Sequence, residues 1–149
     1  MASSIDKESR IRVLLVDDHA LFRQVVRVFL SQHHDIEVVG EAANGLQAVE
    51  QADSLLPDVI LMDVYMAKMD GIAATRSIKT RHPHMVFIGL SIDAINHRAA
   101  AIVAAGAVTV LMKESVVEVL HSAIHSALAA EGNPPTLSPI SGTSVFPPC

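Results

Sequence analysis

Five short aliphatic runs, each followed by a segment of helical periodicity, constrain this chain more than any other feature. The runs fall at residues 11–16, 36–39, 59–62, 85–90 and 107–112. Each is long enough for one strand, and their near-continuous apolar character suits strands buried on both faces. Between them, residues 19–30, 46–55, 72–80, 94–105 and 116–130 repeat apolar positions every three or four residues, as helices do. In the first helical segment Leu21, Phe22, Val25, Val26, Val28 and Phe29 recur at that spacing, with Arg23 and Arg27 on another face. Asn44-Gly45, Pro57, His82-Pro83 and Gly106 stand where breaks are needed. Strict strand–helix alternation with short connections and right-handed crossovers predicts an α/β fold, a doubly wound parallel sheet.

Composition narrows the class. Half of the 149 residues are hydrophobic but only 3% are aromatic, so the core must be built from Val, Ile, Leu, Ala and Met. A formal charge of -5 supplies no basic stripe to meet phosphates, which argues against direct nucleic-acid binding by this chain. Cys149 is the single cysteine, so no intrachain disulfide forms. The polar, mixed-charge residues 1–10 do not read as a signal peptide, and the longest uncharged stretch, 99–112, is too short for a bilayer. The expected location is cytoplasmic, with no membrane partner. Residues 1–10 read as an N-terminal extension, 11–130 as one domain, and the Ser/Pro/Thr-rich 131–149 as a disordered tail or linker.

Four expected strand ends carry chemically notable groups: Asp17-Asp18, Asp63, Ser91 and Lys113. In a parallel sheet those ends share one edge, where ligands of open α/β folds bind. Carboxylates meeting there repel one another unless a divalent cation neutralises them, and hard oxygen donors suit Mg²⁺. A lysine and a hydroxyl opposite the cation suit the remaining oxygens of a transferring phosphoryl group, with a carboxylate as nucleophile. For Asp63 alone, capping of the following helix is the competing reading.

The motifs Leu15-Val-Asp-Asp-His19, Leu61-Met-Asp-Val-Tyr-Met-Ala-Lys-Met-Asp-Gly71, Gly89-Leu-Ser91 and Ala105-Gly-Ala-Val-Thr-Val-Leu-Met-Lys-Glu114 occur in that order. With them the chain resembles the receiver domain of two-component response regulators over about residues 11–130. The Asp-Asp-His start and the Lys-Glu pair look most like receivers of helix-turn-helix (LuxR/NarL-type) regulators. The resemblance implies a flavodoxin-like sheet of strand order 2-1-3-4-5 flanked by five helices. It further implies a signalling switch in which a sensor histidine kinase or phosphotransfer protein passes a phosphoryl group to Asp63, rather than a conventional enzyme. Asp18, Asp63 and the Tyr65 backbone carbonyl would hold Mg²⁺, with Asp17 acting through water. Lys113 would pair with Asp63 or the phosphoryl group, and Ser91 would hydrogen-bond it.

The chain departs from the family pattern in two places. Ala67 stands where a proline is usual, which frees the loop beside Asp63. Val110 stands where a tyrosine or phenylalanine usually swings inward on phosphorylation, so an aromatic switch is not available. Ile92 and Tyr65 are large enough to restrict water and lengthen the phosphorylated lifetime.

Three other readings compete. A haloacid dehalogenase-type phosphotransferase also uses an Asp nucleophile, but wants Asp-x-Asp after the first strand where this chain has Asp-Asp. A phosphorylation-independent docking module fits Ala67 and Val110 but leaves the acids, Ser91 and Lys113 without a purpose. His121 and His125, at i,i+4 on the last helix, could share a metal, yet no third ligand lies nearby in sequence, and His33-His34 read as surface residues. Val117, Val119 and Leu128 on that helix allow a homodimer surface or ordinary packing.

Overall fold

A computed structural model describes residues 9–66, 68–93 and 97–132. The strands are β1 (Ile11–Val16), β2 (Ile36–Ala42), β3 (Val59–Asp63), β4 (Val86–Ser91) and β5 (Ala107–Met112). The helices are α1 (Ala20–Ser31), α2 (Gly45–Leu55), α3 (Gly71–Arg81), α4 (His97–Ala105) and α5 (Val116–Gly132), the last preceded by a 3-10 turn at Lys113–Ser115. All strand pairs are parallel, in the order β2-β1-β3-β4-β5.

The two-residue period of the strands divides the core. Leu14, Val16, Ile60, Met62 and Phe87 point to one face, where Ala48, Ala52, Ala74, Ile78 and Ile102 of α2, α3 and α4 meet them. Val13, Leu15, Leu61, Ile88 and Leu90 point to the other, against Val26 and Leu30 of α1 and Leu120 and Ile124 of α5. Each fully buried Val, Leu or Ile contributes roughly 1.5–3 kcal/mol of transfer free energy. β3 is buried along its whole length, so its last residue, Asp63, is held at the end of a strand packed on both faces.

Local chemistry sets the helix ends. The Asn44 side chain accepts from the Gln47 amide at 2.9 Å, and the Asp70 side chain from Ala73 N at the same distance, capping α2 and α3. Gly106 stops α4 with φ +132, a backbone that a side chain rarely adopts.

Among the described residues, two boundaries differ from expectation by more than one residue. β2 runs three residues beyond the apolar stretch, because Gly40, Glu41 and Ala42 pair with Leu14, Leu15 and Val16 after a register shift at Val13/Leu14. The Glu41 carboxylate, polar within a strand, is held by Arg23 at 2.9 Å and by Arg27. α5 extends to Gly132, two residues past the expected end. The start of the expected helix at 94, the loop residue Ala67 and the tail from 133, with Cys149, lie outside the described residues.

Candidate functional site

At the carboxyl edge of the sheet β1, β3 and β5 deliver their terminal groups to one place. One ligand oxygen or nitrogen from each of Asp17, Asp18, His19 and Asp63 lies within 4.8 Å of all the others. Asp17 and Asp63 are almost wholly buried, at 0% and 2% exposure. Lys113 reaches between them: its Nζ lies 2.6 Å from Asp17 Oδ2 and 3.3 Å from Asp63 Oδ2. The ammonium also stands 4.8 Å from the centre of the Phe22 ring. The Tyr65 amide donates to Asp63 Oδ1 at 3.1 Å. Asp17 Oδ1 accepts from the His19 amide at 2.8 Å, and the His19 ring Nδ1 lies 3.1 Å from both Asp17 and Asp18.

Burial, and then the neighbouring Asp17 carboxylate, push the Asp63 carboxyl up to about 6, against the opposing pull of Lys113 and the Tyr65 amide. One lysine therefore does not fully compensate the acids gathered here. The donor set fits a hard divalent cation such as Mg²⁺: clustered carboxylate oxygens with excess negative charge, beside an open hollow of about 490 Å³ lined by Asp18, His19, Tyr65, Met66, Asp70 and Arg98.

Ser91 ends β4 on the same edge and is fully buried, but its hydroxyl is engaged by its own loop. It donates to the Asp93 carbonyl at 2.9 Å and accepts from the Asp93 amide at 3.2 Å. Among the described residues, the structure thus brings Asp17, Asp18, Asp63 and Lys113 together and places Ser91 at the rim, turned aside.

Arg98 was not singled out by sequence reasoning. From the first turn of α4 it donates to the Val64 carbonyl at 3.1 Å and to Asp70 Oδ2 at 2.8 Å, with its guanidinium carbon 4.9 Å from the Tyr65 ring centre. Burial alone would raise the Asp70 carboxyl; the Ala73 amide and Arg98 outweigh it and hold it below the ordinary value. Arg98 so ties α4 to both ends of the loop that follows Asp63. An Arg inside an alanine-rich helix carries no sequence signal for such a reach.

The same loop depends on Gly71. A Cβ there would lie 2.0 Å from the Asp63 carbonyl oxygen, so the start of α3 packs directly on the backbone of the acid. Val110, half-buried, packs against the core face containing Ile102 and pairs in register with Gly89. A second, apolar hollow of about 400 Å³ adjoins the acid cluster, lined by His19, Leu21, Phe22, Val25, Ile92 and Lys113, with Leu21 73% and Ile92 64% exposed.

A five-stranded parallel sheet of this order, with an acid cluster and a lysine at its carboxyl edge, defines the flavodoxin-like receiver class. The chain belongs to the response regulator receiver domain family, whose model matches residues 13–125. It is 40% identical over 134 residues to the transcriptional regulatory protein LiaR of Bacillus subtilis, covering 89% of this chain and 62% of that protein. It is 52% identical over 86 residues to a protein-glutamate methylesterase/protein-glutamine glutaminase of Alkalilimnicola ehrlichii, covering 56% of this chain and 22% of that one. Among solved structures, the receiver domain of the NarL response regulator of Mycobacterium tuberculosis superposes with a TM-score of 0.76 at 30% identity, over 84% of this chain and 99% of that one. The chain thus spans 62% or less of the length of these two curated relatives. Membership of the receiver family sets the dehalogenase-type reading aside. No described helix is long and apolar enough to cross a membrane.

Proposed function

We propose that this chain is a phosphorylation-controlled switch that takes a phosphoryl group on Asp63 from a histidine kinase or phosphotransfer protein. The observation that carries the proposal is the buried Asp63 carboxylate flanked by Lys113 at 3.3 Å and by the Asp17–Asp18 pair. In the step proposed, an Asp63 oxygen attacks phosphorus, the donor's N–P bond breaks, and the imidazole leaves with its electron pair and takes up a proton. Asp18, Asp63 and the Tyr65 carbonyl would hold Mg²⁺, with Asp17 acting through water. When bound, the ion supplies charge neutralisation for the phosphoryl oxygens. Lys113 would offset charge on the new acyl phosphate. The Ser91 hydroxyl, tied to Asp93 in the resting geometry, would rotate toward the phosphoryl oxygens. That rotation would release the Asp93 segment and pass the signal to the neighbouring helix α4.

The exposed apolar hollow of Leu21, Phe22, Val25 and Ile92 supports docking of a donor protein beside the acids. The chain would assist its own phosphorylation and dephosphorylation without being a conventional enzyme. Its proposed place is the cytoplasm, and its proposed extent of the receiver unit is 11–130. The LuxR/NarL-type relatives support an output through protein contacts or a separate effector domain. Val110 keeps one second reading in view, a docking module that works without phosphorylation, because no ring is available at that position to report Ser91 movement.

The test is transfer of labelled phosphate from an autophosphorylated histidine kinase. Base-labile label on the chain, absent from Asp63→Asn, is the expected result. Stable complex formation with a partner that is indifferent to Asp63→Asn, with no label from any donor, would favour the docking module.

A further inference from the structure

At the opposite edge of the sheet three histidines converge on one acid. Asp35 immediately precedes β2, whose first residue pairs with the first residue of β1, so the cluster lies away from the Asp63 pocket. Sequence reasoning found no third ligand near His121 and His125; the fold corrects this, because packing of α5 beside α1 carries both rings to Asp35. His121 Nε2 lies 3.1 Å and His125 Nε2 2.6 Å from the same oxygen, Asp35 Oδ2. His33, expected at the surface, is half-buried instead, its ring stacked on that of His121 with centroids 4.0 Å apart and planes 14° from parallel. His33, Asp35 and His121 each offer a ligand atom within 4.8 Å of the other two.

We propose that His33, Asp35, His121 and His125 form a binding site for a divalent transition-metal ion, of which Zn²⁺ is the reference, clasping α1 to α5. Three imidazoles and one carboxylate are borderline donors that select zinc, nickel, cobalt or copper over magnesium. A tetrahedral zinc with bonds of about 2.0–2.1 Å needs ligand atoms roughly 3.3 Å apart. The His121–Asp35 separation of 3.1 Å is already close to that, and the His125–Asp35 separation of 2.6 Å opens when the metal replaces the bridging proton.

The donors sit on a scaffold that limits their motion. The Asp35 carbonyl accepts from Ile11 N at 2.8 Å, the His33 amide donates to the Leu30 carbonyl at 3.0 Å, and the Phe29 ring packs edge-on against His33 at 5.0 Å. Because two of the four ligands come from α5 and two from the α1–β2 connection, occupancy would fix how these helices meet. The Mg²⁺-type pocket would be left untouched.

The test is Zn²⁺ titration by calorimetry in excess Mg²⁺, on a Cys149→Ser, His19→Ala background that removes the lone thiol and the imidazole of the acid pocket. One equivalent is expected to bind, with affinity lowered at least tenfold in His121→Ala/His125→Ala and in Asp35→Asn. Histidine ring NMR guards against a folding defect: Zn²⁺ should shift the His33, His121 and His125 resonances and leave His82 and His84 in place. Equal affinity in the variants, no binding by the folded background protein, or shifts confined to other histidines would each overturn the site.

Discussion

The Lys113 ammonium lies closer to Asp17, at 2.6 Å, than to Asp63, the acid it is proposed to serve, at 3.3 Å. The lysine thus offsets Asp17, just after β1, more closely than Asp63, whose carboxyl stays raised to about 6. Arrival of a cation or a phosphoryl group would redistribute this one positive charge. Lys113→Ala is expected to leave two buried acids uncompensated. Removing one partner of a buried pair costs about 3–5 kcal/mol, so this variant should show a large loss in chemical denaturation at neutral pH.

Asp63 is protonated more readily in the folded chain than in the unfolded one, about 6 against 3.8. The native state therefore holds the extra proton between those values, and this group's contribution to stability is full below the lower value and declines as pH rises through the upper one. Asp63→Asn abolishes that dependence. Its stability should exceed that of the wild type by about 3 kcal/mol at neutral pH, from a shift worth 1.36 kcal/mol per unit, with the gap closing near pH 4. Denaturation of both proteins across that range isolates Asp63 from the other acids, and a pH-independent gap would refute the assignment.

Gly71→Ala places a methyl group against the Asp63 carbonyl oxygen, where backbone rather than a yielding side chain must move. A loss of about 3 kcal/mol or more is expected, in the range of overpacking and strained-backbone substitutions. Denaturant unfolding measures it directly.

Arg98→Ala removes two hydrogen bonds that tie α4 to the loop after Asp63. Global stability should fall by about 1–3 kcal/mol, as for hydrogen bonds to charged groups. Amide exchange at residues 64–66 and 68–70 should quicken by about tenfold beyond that global change, because these residues open locally. Exchange that quickens only as much as the rest of the domain would show that Arg98 does not hold the loop.

Tyr65 and Ile92 border the two hollows beside Asp63. If they restrict attacking water, Tyr65→Asn and Ile92→Ala should each shorten the phosphorylated lifetime several-fold, with transfer rates little changed. Decay no faster in either variant would remove that role.

The sheet was legible in the sequence because its strands are uniform aliphatic runs ended by chemistry. β1 and β5 begin and end where those runs do, and Asp17, Asp18, Asp63 and Lys113 all stand at the ends of such runs, so their meeting at one sheet edge follows from the pattern. The full length of β2 is hidden because Gly40 and Glu41 do not look like strand residues; parallel pairing with β1 and the Arg23 and Arg27 partners accommodate them. The reach of Arg98 and the meeting of His33, Asp35, His121 and His125 depend on how helices settle on the sheet. No spacing along the chain encodes a contact between residues 35 and 125.

The most direct measurement is intact-protein mass after incubation with acetyl phosphate and Mg²⁺, for the wild type and Asp63→Asn, with a chelated control. The account predicts one labile adduct of phosphoryl mass on the wild type, absent from the variant and from the chelated sample. An adduct that persists in Asp63→Asn, or none on a wild-type protein shown to bind Mg²⁺, would contradict it.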